Sequence, residues 1–151
     1  IFKSFKEDTS EKGIAAVACD TLLHDHIIHF SRAAFLLDIA KGNSSTFNAG
    51  VTLIDPEKFR KNKYEDLIKE VFERSGGAYV NDEVILNLYD QEYRLLTPRF
   101  NCITHKAFLP RDPIVVHFSG QEYKPWVEHN YKGPYLKYYK LWEYYYGVMF
   151  T

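Results

Sequence analysis

Three short apolar runs limit what this chain can fold into, because each has the length of a buried strand and carries polar side chains at or near its end. IAAVACD (14–20) ends at Asp20, TFNAGVTLID (46–55) has the β-branched core VTLI, and IVVHF (114–118) carries His117. Stretches with helical features separate the runs. Strands that alternate with helices predict an α/β domain, in which ligands sit at the carboxyl ends of strands.

A strong helical pattern follows the second run. Asp55 and Pro56 are residue types favoured at the N-cap and first position of a helix, and apolar residues at 3.6-residue spacing follow. Gly76 and Gly77 would end this element, so one helix is predicted from Pro56 to Gly76. The other predicted elements are a helix beginning near Ser31, a helix over 81–90 capped by Asn81 or Asp82, an extended segment over 93–101 and a terminal helix over 133–150.

Composition and charge narrow the function classes. The 151 residues suffice for a single domain, and 19 basic against 20 acidic residues create no overall field that would attract nucleic acid. No segment approaches the roughly 18 apolar residues that span a bilayer, so a cytoplasmic protein is expected. Cys19 and Cys102 are expected to be buried thiols in a reducing compartment. The chain opens IFKSFKED without an initiator Met, and we expect it to be the trailing part of a longer polypeptide.

The third apolar run leads into a candidate site for a metal or an anion. His117 is followed by Ser119 and Gly120, which allow a close backbone turn, and Lys124 lies in the same loop. A neutral imidazole suits Mn²⁺, and a lysine is a point charge for phosphate. A buried strand that leaves the core and turns would place the same residues without any ligand, and both interpretations remain open at this stage.

Two further pairs are candidates for contact with a ligand. Asn48 and Ala49 precede Gly50 in the second run, where small residues let the backbone approach a ligand and an amide can bind hydroxyl groups. Asp82 and Glu83 open a predicted helix and could stabilise or attack an oxocarbenium-like centre. The alternatives are a turn for the first pair and a helix cap for the second.

A histidine-rich stretch, HDHIIH, offers a competing metal site. His24 and His26 share a face only on a strand, whereas His26 and His29 approach each other on a helix. These three and Asp25 cannot all bind one ion from one regular element. Surface histidines are therefore expected, with a metal site as the alternative.

Four segments resemble the C-terminal part of glycosyltransferase family 8 in order and separation: FNAGVTLID (47–55), DEVILN (82–87), RFNCITHKAF (99–108) and VVHFSGQEYKPW (115–126). This family of retaining enzymes includes glycogenin and bacterial lipopolysaccharide galactosyl- and glucosyltransferases. The resemblance covers about residues 11–126 and leaves 127–151 as an aromatic C-terminal helix. It implies the GT-A fold, a mixed-sheet α/β domain whose N-terminal nucleotide-binding strands are missing from this single partial domain over 1–151.

The resemblance implies retaining transfer of a hexose from UDP-glucose or UDP-galactose to a saccharide or lipid-linked saccharide acceptor. The implied context is the synthesis of cell-surface polysaccharide or lipopolysaccharide. His117 matches a ligand of Mn²⁺ (or Mg²⁺), and Asp82 and Glu83 match the catalytic pair beside the anomeric carbon. The residues that match contacts with the donor sugar or its diphosphate are Asp20, Asn48, Ala49, Gly120 and Lys124.

Three departures from the family pattern accompany these matches. The chain lacks the Asp-x-Asp metal motif, which the family places upstream of the matched region. Glu83 stands where Gln is usual, which could supply a nucleophile or vary a polar contact. The segment from His117 to Lys124 is one residue longer than usual. The alternative function is a non-catalytic sugar-binding or degenerate transferase, and the Tyr-rich tail is a candidate for peripheral membrane contact.

Overall fold

The computed structural model describes residues 9–30, 33–76, 80–105, 110–127 and 136–150. The chain divides into two compact units, Ile1–Thr97 and Pro98–Thr151, which are described separately. The predicted single domain over 1–151 stays a prediction.

The first unit contains three strands and five helices in its described part. In chain order they are β1 (Ile14–Leu22), α1 (Leu23–Phe30), α2 (Leu36–Ile39), β2 (Ser45–Ile54), α3 (Pro56–Lys61), α4 (Tyr64–Ser75), α5 (Asp82–Tyr89) and β3 (Arg94–Leu95).

The sheet of the first unit is small and mixed. Strand β1 is central, pairing antiparallel with β2 and parallel with β3. The β1–β2 register runs from Ile14 opposite Ile54 to Ala16 opposite Thr52, and it is then interrupted twice before Leu22 pairs with Ser45. This mixed α/β architecture agrees with the predicted fold class and is compatible with a GT-A-like domain.

Helix α5 contributes residues to both apolar clusters of the first unit. Its residues Val84 and Leu88 join a buried cluster with α1 and α4, which also contains Leu23 and Ile27. Its last residue, Tyr89, belongs to a second cluster whose other buried members are Ile14, Ala16 and Phe47. Because its apolar side chains enter two clusters, α5 is held firmly against strand β2 and helix α1.

The helix predicted from Pro56 to Gly76 is in fact two helices. Asp55 caps α3 as expected, its Oδ1 accepting hydrogen bonds from Glu57 N and Lys58 N at 3.0 and 3.2 Å. The chain then breaks at Lys63, whose φ of 55° lies in the left-handed region. The apolar residues at 3.6-residue spacing all lie in α4, and nothing in the sequence marks a stop between them and the cap at Asp55, so the pattern alone predicted a single element.

The region after β1 also differs from the prediction. The helix expected to begin near Ser31, a position outside the described residues, is represented by the four-residue α2, whereas HDHIIH lies in α1. Strand β1 continues to Leu22, two residues beyond Asp20. The segment 93–101 is extended only over β3 and then forms a 3₁₀ turn at Pro98–Phe100.

The second unit has two short parallel strands and one long helix in its described part. They are β4 (Cys102–Ile103), β5 (Val116–His117) and α6 (Leu136–Phe150). IVVHF is therefore strand only at its centre, whereas the terminal helix is confirmed from Leu136 onward. Its predicted Gly-Pro start at 133–134 lies outside the described residues.

Two remaining sequence expectations concern thiols and membrane spans. Neither Cys19 nor Cys102 forms a disulfide, but only Cys102 is buried, whereas Cys19 is half-buried. Across the described ranges, no helix combines the length and apolar character needed to cross a bilayer.

Substitution by glycine at Lys63 and at Lys61 should change the stability of the protein in opposite directions. Lys63→Gly should raise the free energy of unfolding by about 1 kcal/mol, because glycine adopts the left-handed conformation without the Cβ penalty. Lys61→Gly is the matched control inside α3 and should lower it by about 0.5 kcal/mol, because glycine disfavours helix. Urea unfolding measures both. Equal destabilisation by the two substitutions would contradict the break at Lys63.

Candidate functional site

The carboxylate of Glu83 joins helix α5 to the NAG segment of strand β2. Its Oε2 accepts a hydrogen bond from Asn48 Nδ2 at 2.7 Å and another from Ala49 N at 2.9 Å. Asn48 Oδ1 in turn accepts from Gly50 N at 3.2 Å. The structure thus brings Glu83 to two other candidate residues, Asn48 and Ala49, which are more than thirty positions away in sequence.

Asn87 strengthens the same contact one helical turn further along α5. Its Oδ1 accepts from Phe47 N at 2.8 Å, and its Nδ2 donates to Phe47 O at 2.9 Å and to Glu83 O at 2.8 Å. Asn87 is buried, so these bonds satisfy polar groups that water cannot reach. Asn87 was not among the predicted site residues, although its i, i+4 spacing from Glu83 could have indicated a shared helix face.

Glu83 and Asp82 have different surroundings although they are adjacent. Burial raises the pKa of Glu83 and the charge of Asp82 adds to the rise, whereas the N–H groups of Ala49 and Asn48 act against it. Asp82 is exposed. The start of α5 therefore holds one anchored carboxylate and one that faces solvent, and the N-cap bond comes from Asn81, whose Oδ1 accepts from Val84 N at 2.9 Å.

Asp20 lies on the strand next to the NAG segment. It is exposed and falls within the second interruption of the β1–β2 register, between the pairs Ala18–Phe47 and Leu22–Ser45. Asp20 therefore lies opposite the start of β2, the stretch from Ser45 to Phe47 that precedes the NAG segment.

The histidine-rich stretch contributes one buried side chain. His26 is only 3 % exposed, so the expectation of surface histidines is wrong for this position. Its Nε2 lies 3.4 Å from Glu83 Oε1. Burial lowers the pKa of His26, and the nearby charge of His29 lowers it further, as expected for two histidines one turn apart on a helix.

The second unit orients His117 through Asn101. His117 Nδ1 lies 2.9 Å from Asn101 Oδ1, and an amide oxygen can only accept, so Nδ1 carries the proton and Nε2 keeps its lone pair. Such a hydrogen bond to the other ring nitrogen is typical of histidines that bind metals. Asn101 is buried. Sequence reasoning missed this residue, because only the pairing of β4 with β5 brings it to His117.

The loop after His117 folds Lys124 back toward the strand. Gly120 has φ 79°, a left-handed conformation, and an added Cβ would lie 3.3 Å from the Tyr123 ring. A 3₁₀ turn at Gln121–Tyr123 follows. Lys124 Nζ then donates to Phe118 O at 2.8 Å, which turns this side chain back to the residue after His117.

Electrostatic contacts show that Lys124 and His117 are close. Burial lowers the pKa of His117, and the charges of Lys124 and His105 lower it further. A lowered pKa keeps the imidazole neutral near neutral pH, which is the state that binds metals.

One residue of the second unit, His117, suits a divalent cation. His117 offers a neutral nitrogen with a fixed tautomer. However, no three His, Cys, Asp or Glu side chains in the described ranges cluster closely enough to hold an ion. The histidines of HDHIIH therefore form no such cluster with other described residues. This chain thus supplies one oriented candidate ligand at His117.

The sequence model of glycosyl transferase family 8 matches residues 8–130 of the chain. The matched range contains every candidate residue, from Asp20 to Lys124. No curated protein and no solved structure matches the chain significantly.

Glu83→Gln should change how stability depends on pH. The pKa of Glu83 is raised above its ordinary 4.5, so the folded state binds the proton more tightly than the unfolded chain does. The resulting stabilisation is present below the ordinary pKa and is lost as pH rises through the raised value.

The free energy of unfolding of Glu83→Gln minus that of wild type should therefore be larger at about pH 7 than at about pH 4. Urea unfolding at both pH values measures this difference. The exposed Glu73→Gln corrects for the general effect of removing one negative charge. If the difference in free energy of unfolding between Glu83→Gln and wild type stays constant or falls as pH rises, the raised pKa of Glu83 is contradicted.

Proposed function

The chain belongs to glycosyl transferase family 8, and on that premise we propose that it transfers a hexose from a nucleotide sugar to a saccharide acceptor with net retention. The proposed donor is UDP-glucose or UDP-galactose, and the proposed setting is cell-surface polysaccharide or lipopolysaccharide synthesis. The observation that carries the proposal is the anchoring of the NAG segment by Glu83, because it fixes polar groups that can bind sugar hydroxyls.

In the first unit, Asn48, Ala49 and Asp20 are the proposed contacts to the donor sugar. The backbone N–H of Ala49 is held by Glu83, and the amide of Asn48 is held by hydrogen bonds at both ends. A preorganised polar surface of this kind binds hydroxyl groups without a further ordering cost. Asp20 would add a carboxylate acceptor from the neighbouring strand.

The two acidic residues at the start of α5 take different proposed roles. Glu83 Oε2 accepts two hydrogen bonds and Oε1 faces His26, so its contacts favour the role of a varied polar contact over that of a nucleophile. Asp82 is exposed and is the proposed carboxylate beside the anomeric carbon. There it can stabilise an oxocarbenium-like transition state or form a covalent glycosyl ester.

In the second unit, His117, Gly120 and Lys124 are the proposed contacts to metal and diphosphate. His117 Nε2 would bind Mn²⁺ or Mg²⁺, and a bound cation neutralises charge on the departing nucleoside diphosphate. Lys124 brings a second positive charge close to His117, and the backbone at Gly120 turns too tightly for a side chain. These features support binding of an anionic leaving group.

The retained configuration allows two routes for the reaction. In one route Asp82 attacks the anomeric carbon as the carbon–oxygen bond to the diphosphate breaks, and the acceptor hydroxyl then displaces Asp82 and releases its proton. In the other route the acceptor hydroxyl attacks from the same face as the leaving group while the bond to the diphosphate breaks, its proton passes to the departing diphosphate, and Asp82 stabilises the positive charge that develops. Both routes need a carboxylate at position 82 and no proton donor there.

Helix α6 supports a peripheral contact with membranes, where lipid-linked acceptors are found. Tyrosine side chains flanked by apolar residues are common at the interface between lipid and water. Failure to co-sediment with vesicles that contain anionic lipid would contradict this contact. The exposed apolar and aromatic residues in the described part of the helix are Leu136, Leu141, Tyr144, Tyr145, Tyr146, Val148 and Met149.

The transferase proposal is tested by release of UDP from UDP-glucose and UDP-galactose with Mn²⁺ present or chelated. Asp82→Asn should lower kcat about a hundredfold or more, because the neutral amide cannot balance positive charge at the anomeric carbon. Asp66→Asn is the matched control, since Asp66 is also an exposed acid in the first turn of a helix and should leave turnover unchanged.

Two outcomes would contradict the proposal. Full turnover by Asp82→Asn would show that the reaction does not need the Asp82 carboxylate. Binding of UDP-sugar by calorimetry without turnover for either donor would instead support the alternative, a non-catalytic sugar-binding protein.

A further inference from the structure

Helix α1 brings a buried histidine to the carboxylate that anchors the NAG segment. His26 Nε2 lies 3.4 Å from Glu83 Oε1, which is within ion-pair range and longer than a usual hydrogen bond. The other carboxylate oxygen accepts hydrogen bonds from Asn48 and Ala49. The imidazole and the NAG segment therefore contact opposite oxygens of one carboxylate.

Apolar packing fixes the imidazole in this position. Leu23 and Ile27 of α1 are fully buried in the same cluster as Val84 and Leu88 of α5. His26 lies between Leu23 and Ile27 in the helix and is nearly as buried as they are. Moving His26 away from α5 would expose this cluster to water, which costs free energy in proportion to the apolar area exposed.

We propose that His26 is a positioning residue, which holds the Glu83 carboxylate in the orientation that fixes Asn48 and Ala49 for the donor sugar. The inference rests on the proposed function, because these two residues meet a donor only if the chain binds a nucleotide sugar. In this role His26 acts through Glu83 and does not touch the substrate.

Burial acts on the charged forms of both groups. It lowers the pKa of His26 from its ordinary 6.5 and raises that of Glu83 from its ordinary 4.5. An imidazolium or a carboxylate at these positions is therefore disfavoured alone, and the contact of 3.4 Å places each where the opposite charge of the other compensates it.

The identity of residue 83 makes this arrangement particular to the chain. A glutamine carries no charge and could not form an ion pair with an imidazolium. Glutamate at position 83 and histidine at position 26 thus form a matched pair, and removing one should alter what the other does.

A double-mutant cycle on UDP-sugar hydrolysis tests this coupling, with His26→Asn, Glu83→Gln and both together. We expect His26→Asn to lower kcat/KM about tenfold, mainly by raising KM for the donor, and to change it by less than about twofold when residue 83 is already Gln. His24→Asn on the same helix is the matched control and should stay within about twofold of wild type. An equal loss in both backgrounds, or no loss from His26→Asn, would overturn the proposal.

A second measurement needs no turnover and leaves His26 in place. The Cε1 proton of His26 is titrated by NMR in wild type and in Glu83→Gln. Loss of a neighbouring negative charge disfavours the imidazolium, so the pKa of His26 should fall in the variant. An unchanged titration would overturn the proposal even in an active enzyme. If the pKa of His26 falls in Glu83→Gln but the protein shows no turnover, the contact between His26 and Glu83 is confirmed. The proposed function, and the role of the pair in donor binding, are then overturned.

Discussion

The structure of the first unit depends on one part-buried polar contact, the Glu83 carboxylate at the start of α5 that receives two N–H groups from strand β2. A carboxylate is favoured at a helix N-terminus by the helix dipole, and its two donors lower the cost of burying it. Asn87 repeats the contact one turn later through the backbone of Phe47. Since these polar bonds require specific geometry, they set the register of α5 on β2, whereas apolar packing alone would allow sliding.

The order of strands and helices could be predicted because local chemistry determines it. Asp55 with Pro56 and Asn81 are side chains that cap helices in any context, and both caps are present. The break at Lys63 was missed because a left-handed lysine has no sequence signature. The helix at HDHIIH was missed because its buried side, which includes His26, is defined only by packing against α5.

The candidate site shows the same division between local and tertiary information. The resemblance to family 8 singled out Asn48, Ala49 and Glu83, and the fold brings them into contact. It singled out His117 and Lys124, and burial and the charge of Lys124 lower the pKa of His117. The residues that support them, His26 for Glu83 and Asn101 for His117, come from distant parts of the chain. Supporting contacts of this kind depend on which strands and helices become neighbours, so sequence spacing does not reveal them.

The central claim is that the NAG segment anchored by Glu83 receives the donor sugar. The most direct test is to record NMR spectra of amide groups while UDP-glucose or UDP-galactose is added with Mn²⁺. The account predicts that the backbone signal of Ala49 and the side-chain amide signal of Asn48 shift in proportion to donor bound, while the signal of Gly76, an exposed residue at the end of α4, stays in place. Saturable donor binding that leaves Ala49 and Asn48 unshifted would contradict the account.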